Sequence, residues 1–158
     1  MFLYHGSNVV VEKPRLISPK RLLDFGAGFY LTSDLEQARK WASRTTLLRE
    51  EGQAVVSVYD VCEKELQMLA VLLFDSPNRE WLRYVAANRM GRQTDTQYDV
   101  IIGPVANDQV IRTVNNYLNG YFSEDIAIQL LLPQKLKDQY AFKTDKAIQI
   151  LHFWEARS

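Results

Sequence analysis

The chain has 158 residues, 47% apolar and 24% charged, which suits one globular domain over 1–158 and excludes a disordered tail, a collagen-like repeat and a disulfide scaffold. Nineteen basic residues balance nineteen acidic ones; a zero net charge argues against a strongly basic nucleic-acid binder and an acidic tail, while leaving room for a local basic face. Cys62 is the single cysteine, so neither an internal disulfide nor a cysteine-based zinc site can form, and a reducing, cytoplasmic setting is expected. Residues 1–7 lack the basic and apolar regions of a signal peptide. The longest apolar run, Met68 to Phe74, falls far short of the roughly 20 residues of a membrane span, so a soluble protein is expected.

Phe2 to Gly6 reads as a short strand ending at a glycine, and 8–24 as strand or loop broken by Pro14 and Pro19. Ser33-Asp34-Leu35-Glu36 has the S-x-x-E form of a capping box, so a helix is expected to start there, with Leu35, Ala38, Trp41 and Ala42 on one face. Residues 54–61, rich in β-branched side chains, read as a strand. Ser76-Pro77 reads as a cap and first-turn proline opening a helix with Trp81, Leu82, Val85 and Ala86 inward. Tyr98 to Ile102 reads as a short buried strand. Asn107 to Asn119 reads as a helix with Val110, Ile111, Val114 and Leu118 inward and Gly120 as its stop. A further helix is expected over 123–132, and two strands over Gln139–Phe142 and Ala147–Trp154. Strands at both ends with helices between them, and no internal repeat or linker, argue for α+β.

The common catalytic signatures are absent: there is no H-E-x-x-H, P-loop or G-x-S-x-G. Gly26-Ala27-Gly28 begins like a dinucleotide fingerprint but lacks its third glycine. His5 and His152 lie far apart and would need carboxylate partners to hold an ion, so no metal site is expected. Singly, His5 reads as a strand-end histidine, Tyr30 as a core tyrosine and Trp41 as a helix anchor. Their order along the chain says more: Tyr4-His5-Gly6-Ser7, then Asp24 to Thr32 around two glycines, then a helix holding Trp41.

That order resembles the ADP-ribosyltransferase superfamily, in the branch shared by diphtheria-like toxins and poly(ADP-ribose) polymerases. His5-Gly6-Ser7 is similar to the branch's first-strand motif. Gly26-Ala27-Gly28-Phe29-Tyr30-Leu31 is similar to its G-x-G-x-Y-[LF] segment, and Trp41 falls where its second stacking aromatic lies. Asp138-Gln139-Tyr140-Ala141-Phe142, followed by Ile148 to Leu151, looks like the strand of the third motif and its successor. The resemblance is strongest over 2–42, and closest to small bacterial members, some encoded like toxin–antitoxin pairs. It implies a split antiparallel sheet with helices around it. It also implies NAD as co-substrate, transfer of one ADP-ribose to a macromolecular acceptor, and a cognate antitoxin as partner. His5, Tyr30 and Gln139 would form a variant triad, with His5 on the adenosine-side ribose. Gly6 would meet the nicotinamide carboxamide, Ser7 would add a polar contact, and Tyr30 and Trp41 would sandwich the nicotinamide ring.

The chain departs from the branch in two places. Gln139 replaces its glutamate, and Ala38 replaces the small hydroxyl residue of many polymerases. An amide can bond the ribose 2′-OH, but it supplies neither negative charge for a cationic transition state nor a general base. Transfer of a single ADP-ribose therefore fits better than chain elongation. An NAD glycohydrolase and a non-catalytic module binding NAD, ADP-ribose or a partner protein are the alternatives. The arginine-modifying branch is excluded, because position 5 is His and Lys137 stands two residues before Gln139. Arg15, Lys20 and Arg21 read as a solvated loop, Glu124 and Asp125 as first-turn acids of a helix, and His152 as a structural histidine. Phe25 and Phe29 are expected to pack under the turn.

Overall fold

The structure is a computed structural model that describes residues 1–16, 23–92 and 97–158. Lys20, Arg21 and most of the second half of the expected 8–24 segment lie outside the described residues. In chain order the elements are β1 (Phe2–Ser7), β2 (Phe29–Leu31), α1 (Leu35–Arg49), β3 (Val55–Asp60), α2 (Glu63–Gln67), β4 (Val71–Leu73), α3 (Arg79–Arg89), β5 (Val100–Pro104), α4 (Asp108–Leu118), α5 (Glu124–Leu131), β6 (Asp138–Phe142), α6 (Asp145–Ile148) and β7 (His152–Arg157). The fold is α+β, as expected, with two mostly antiparallel sheets.

The first sheet runs β1-β3-β7 and the second β2-β6-β5-β4. Among the described residues every strand pair is antiparallel except β4 with β5, which is parallel. Among the described residues the sheets are bridged where Tyr4 and Thr32 exchange two backbone hydrogen bonds of 2.9 Å. Leu3, Phe29, Leu31, Tyr59, Val100 and Phe142 fill the core between them. Helices α3, α4 and α5 cover the second sheet through Trp81, Leu82, Val85, Val110, Val114 and Leu131, which includes all the inward α3 residues except Ala86 read from the sequence. Helix α1 lies on the first sheet, placing Ala38 against Val56 and Val58. No described helix is long and apolar enough to cross a membrane.

Three boundaries differ from the sequence reading. Asp34, not Ser33, caps α1 by accepting from Gln37 N at 2.8 Å, because Ser33 is bonded to Asp138 instead. Asn78, not Ser76, caps α3 by accepting from Trp81 N at 2.9 Å, so Pro77 sits outside the helix. Residues 147–151 are not strand. Thr144 caps the single turn α6, and Ala147, Ile150 and Leu151 turn inward at helical spacing before β7 begins at His152.

Candidate active site

Antiparallel pairing alternates bonded and non-bonded residues. Tyr4 spends its backbone groups on Thr32, so the N–H and C=O of Gly6, two residues on, also turn away from β3, toward the gap where β1 and β2 part. The His5 side chain stacks on Phe29, with ring centroids 4.1 Å apart, and its Nδ1 lies 2.7 Å from the Tyr30 carbonyl oxygen. A carbonyl only accepts, so Nδ1 carries the proton and Nε2 is left as an acceptor. Burial holds the His5 pKa down at about 4, so the ring is neutral at physiological pH.

That pKa has a measurable consequence. An unfolded His5 gains its proton near pH 6.5, whereas the folded ring refuses it until about 4. Stability is therefore full above pH 6.5 and falls on acidification toward 4, by up to about 1.4 kcal/mol per pH unit. Thermal unfolding across that window should show this slope in the native protein and lose it in His5→Asn; parallel slopes would refute the buried neutral imidazole.

Tyr30 is tied back to its own loop. Its hydroxyl donates to Gly26 O at 2.6 Å and accepts from Phe25 N at 3.0 Å, and burial raises its pKa, so it stays a neutral phenol. Gly26 makes this turn possible: it has φ of 77°, and a Cβ there would come within 3.0 Å of Asn88 Oδ1. Phe25 is fully buried among the α3–α5 residues, whereas Phe29, expected beside it under the turn, lies in the core between the sheets. Across β6, Tyr30 pairs with Ala141, which places Tyr30, Ala141 and Gln139 on one face of the second sheet. Gln139 is only 4% exposed, and its Nε2 reaches Pro104 O at 3.2 Å and Asp24 Oδ2 at 3.4 Å. His5, Tyr30 and Gln139 are thus joined through one short loop. His5 bonds the Tyr30 backbone, and the Tyr30 hydroxyl and the Gln139 amide bond positions 26 and 24 of that loop.

Trp41 and Ser7 stand apart from this chain of bonds. Trp41 shares a stripe of α1 with Gln37, Lys40 and Arg44, one wall of a cavity of about 280 Å³ whose other wall is Val105 to Asp108 and Lys135 to Lys137. Four cations line it; Arg44 lies 3.7 Å from the one lining carboxylate, Asp108, and Lys137 pairs with Asp34 at 2.9 Å. Ser7 is buried and donates to Asn8 Oδ1, which also accepts from Arg49 at the end of α1. The remaining sequence candidates take structural or surface positions. Glu124 and Asp125 pair with Arg79 in the first turn of α5, and His152 is exposed, 3.8 Å from Glu65.

Several residues that hold this site have no role assigned from the sequence. Asp138 accepts from Thr32 Oγ1 at 3.0 Å and Ser33 N at 2.8 Å, pinning the start of α1 to β6. Lys143 donates to the carbonyls of Phe25 and Ala27, closing the glycine turn onto the end of β6, and burial lowers its pKa. Arg89 pairs with Asp24 at 2.7 Å. The sequence places Asp138 in the third-motif strand but shows no role for it, nor for Lys143 or Arg89, since their partners lie far along the chain. The chain belongs to the family described as protein of unknown function (DUF3990), whose model matches residues 1–153. No curated protein and no solved structure gives a significant match.

Proposed function

Within that family, we propose that this chain is an NAD-dependent mono-ADP-ribosyltransferase. It splits the nicotinamide–ribose bond and passes ADP-ribose to a macromolecular acceptor. The observation that carries the reading is the continuous link from His5 through Tyr30 and the 24–26 turn to Gln139, which gathers all three motifs of the resemblance. The residues also fit the ligand. The His5 Nε2 acceptor suits a ribose hydroxyl, and the N–H and C=O of Gly6 suit a carboxamide, which both donates and accepts. Trp41 offers an aromatic face, and the lysines and arginine beside it suit phosphates.

Departure of nicotinamide leaves a cationic sugar. Gln139 meets it with an amide dipole rather than a full charge, which makes turnover slow beside that of a glutamate at this position. The neutral imidazole and neutral phenol add no positive charge beside that cation. A non-catalytic binding module is the second reading, favoured by the amide at position 139. Incubation with labelled NAD and cell lysate separates these readings. Label in protein or nucleic acid marks transfer, free ADP-ribose marks hydrolysis, and no nicotinamide release marks the binding module. The toxin role and its antitoxin rest on the resemblance alone; growth arrest on expression, relieved by loss of nicotinamide release, is their test.

Trp41→Ala should weaken NAD binding by roughly 1–3 kcal/mol, from lost stacking and lost buried area. The side chain is only half-buried and joins none of the three core clusters, so the fold should survive the change. Calorimetric titration with NAD checks it, and an unchanged affinity in the folded variant removes Trp41 from the site.

A further inference from the structure

Both hydrogens of the Gln139 amide are already committed, to Pro104 O and to Asp24 Oδ2. Neither partner can donate, so the flipped amide would set Oε1 against two acceptors, and its orientation is fixed. Asp24 is itself held from two sides. Its Oδ1 accepts from Arg89 Nε at 2.7 Å, and its backbone oxygen accepts from Asn88 Nδ2 at 3.1 Å. Its side chain is 11% exposed. Pro104 O is fixed by a second donor, Trp81 Nε1, at 3.0 Å. No described residue bonds Gln139 Oε1, yet no buried side-chain oxygen or nitrogen among the described residues lacks a partner, so Oε1 is the accessible edge of the amide.

We propose that Asp24 is a positioning residue that makes glutamine, rather than glutamate, the resident of position 139. Asp24 and Pro104 O draw the amide nitrogen inward, so that only Oε1 meets the ligand. A carboxylate at position 139, though nearly the same shape, would face the Asp24 carboxylate and a carbonyl oxygen, and among the described residues Arg89 is the one cation paired with Asp24. Two carboxylates so placed cannot both ionise without cost. Among the described residues, the Tyr30 phenol lies close enough to feel both the Asp24 carboxylate and the Tyr84 hydroxyl, and the Lys143 ammonium is bonded to the neutral Phe25 and Ala27 carbonyls. The activity part of this inference rests on the NAD-cleaving reading of the site. The pairing part does not.

The test is a double-mutant cycle of native protein, Asp24→Asn, Gln139→Glu and the double variant, read by thermal unfolding and by nicotinamide release from NAD between pH 5 and 8. Losing a charged hydrogen bond is worth roughly a ten- to hundredfold change, so each single variant should melt lower and release nicotinamide that much more slowly at pH 8. In the double variant the asparagine oxygen keeps Arg89 while its amide N–H donates to the new carboxylate. Charge and the bond between positions 24 and 139 are restored, while Pro104 O keeps only its Trp81 donor, so melting and release should exceed those of either single variant. Gln139→Glu alone should regain activity toward pH 5 as its carboxyl takes a proton, a pH dependence absent from the double variant. Should a single variant fail to fold, folding of the double is the rescue. Additive losses in the double variant, or a Gln139→Glu protein as stable and active as native, would overturn the proposal. Rescued melting without nicotinamide release from any protein would sustain the pairing and sink the NAD reading instead.

Discussion

Gly6→Ala is expected to lower stability by roughly 3 kcal/mol, the upper part of the range for overpacking a filled interior. A Cβ at this position would lie 1.9 Å from Ala38 O and 2.7 Å from Ala42 N. Both are backbone atoms of α1, so neither can swing aside as a side-chain tip could; the helix must lift from β1 or the strand must bend. For a chain of this size the cost corresponds to a fall in Tm of about 6–12 °C. Gly120→Ala is the control: its φ of 80° also disfavours a side chain, but nothing lies within 4 Å of the added carbon. That change should cost only the strain of the left-handed conformation, roughly 1–2 kcal/mol. Scanning calorimetry of the two variants decides it, and an equal loss in both would mean that α1 does not press on β1 as the geometry requires.

The same position shows what could be read from the sequence and what could not. His5-Gly6-Ser7 drew attention as a motif in which the glycine lets a ligand approach. In the structure the missing side chain makes room for α1, while the N–H and C=O of Gly6 turn toward the gap independently of it. Ala38, noted as a departure from the polymerases, is the other half of that close contact, because its small side chain lets the helix approach. A glycine in a strand signals a close approach without saying of what.

Strands rich in β-branched residues and helices with a clear apolar stripe were legible, because burial of one face writes a period into the chain. Helix starts were less so. Ser33 and Asp34 are both good caps, and the choice was settled by Asp138, more than a hundred positions away. The parallel strand β4 was hidden inside an apolar run, Met68 to Phe74, because it is a three-residue edge strand, half-buried at Val71 and Leu72 and exposed at Leu73, too short to write a period into the chain. The clamps on the glycine turn, from Arg89, Lys143 and Asn88, are long-range polar contacts, and no local pattern encodes those.

Removing the outer nitrogen of His5 should lower nicotinamide release by roughly a hundredfold, the usual consequence of losing one positioning contact at a reacting centre. The imidazole does two separable things. Nδ1 donates to Tyr30 O and so ties β1 to β2, whereas Nε2 has no described partner. Asparagine places its amide nitrogen where Nδ1 stands, so His5→Asn should keep the tie and the fold while presenting nothing at the Nε2 position. Glutamine reaches the Nε2 position but gives up the bond to Tyr30, so His5→Gln should melt lower yet retain more activity than His5→Asn. Alanine loses both, along with the stacking on Phe29. If His5 serves only to join the strands, activity will follow stability and His5→Asn will be the best of the three. If it holds a ribose hydroxyl, the order of activity inverts the order of stability between asparagine and glutamine. Release rates measured at saturating and at low NAD, beside the melting temperatures, distinguish the two.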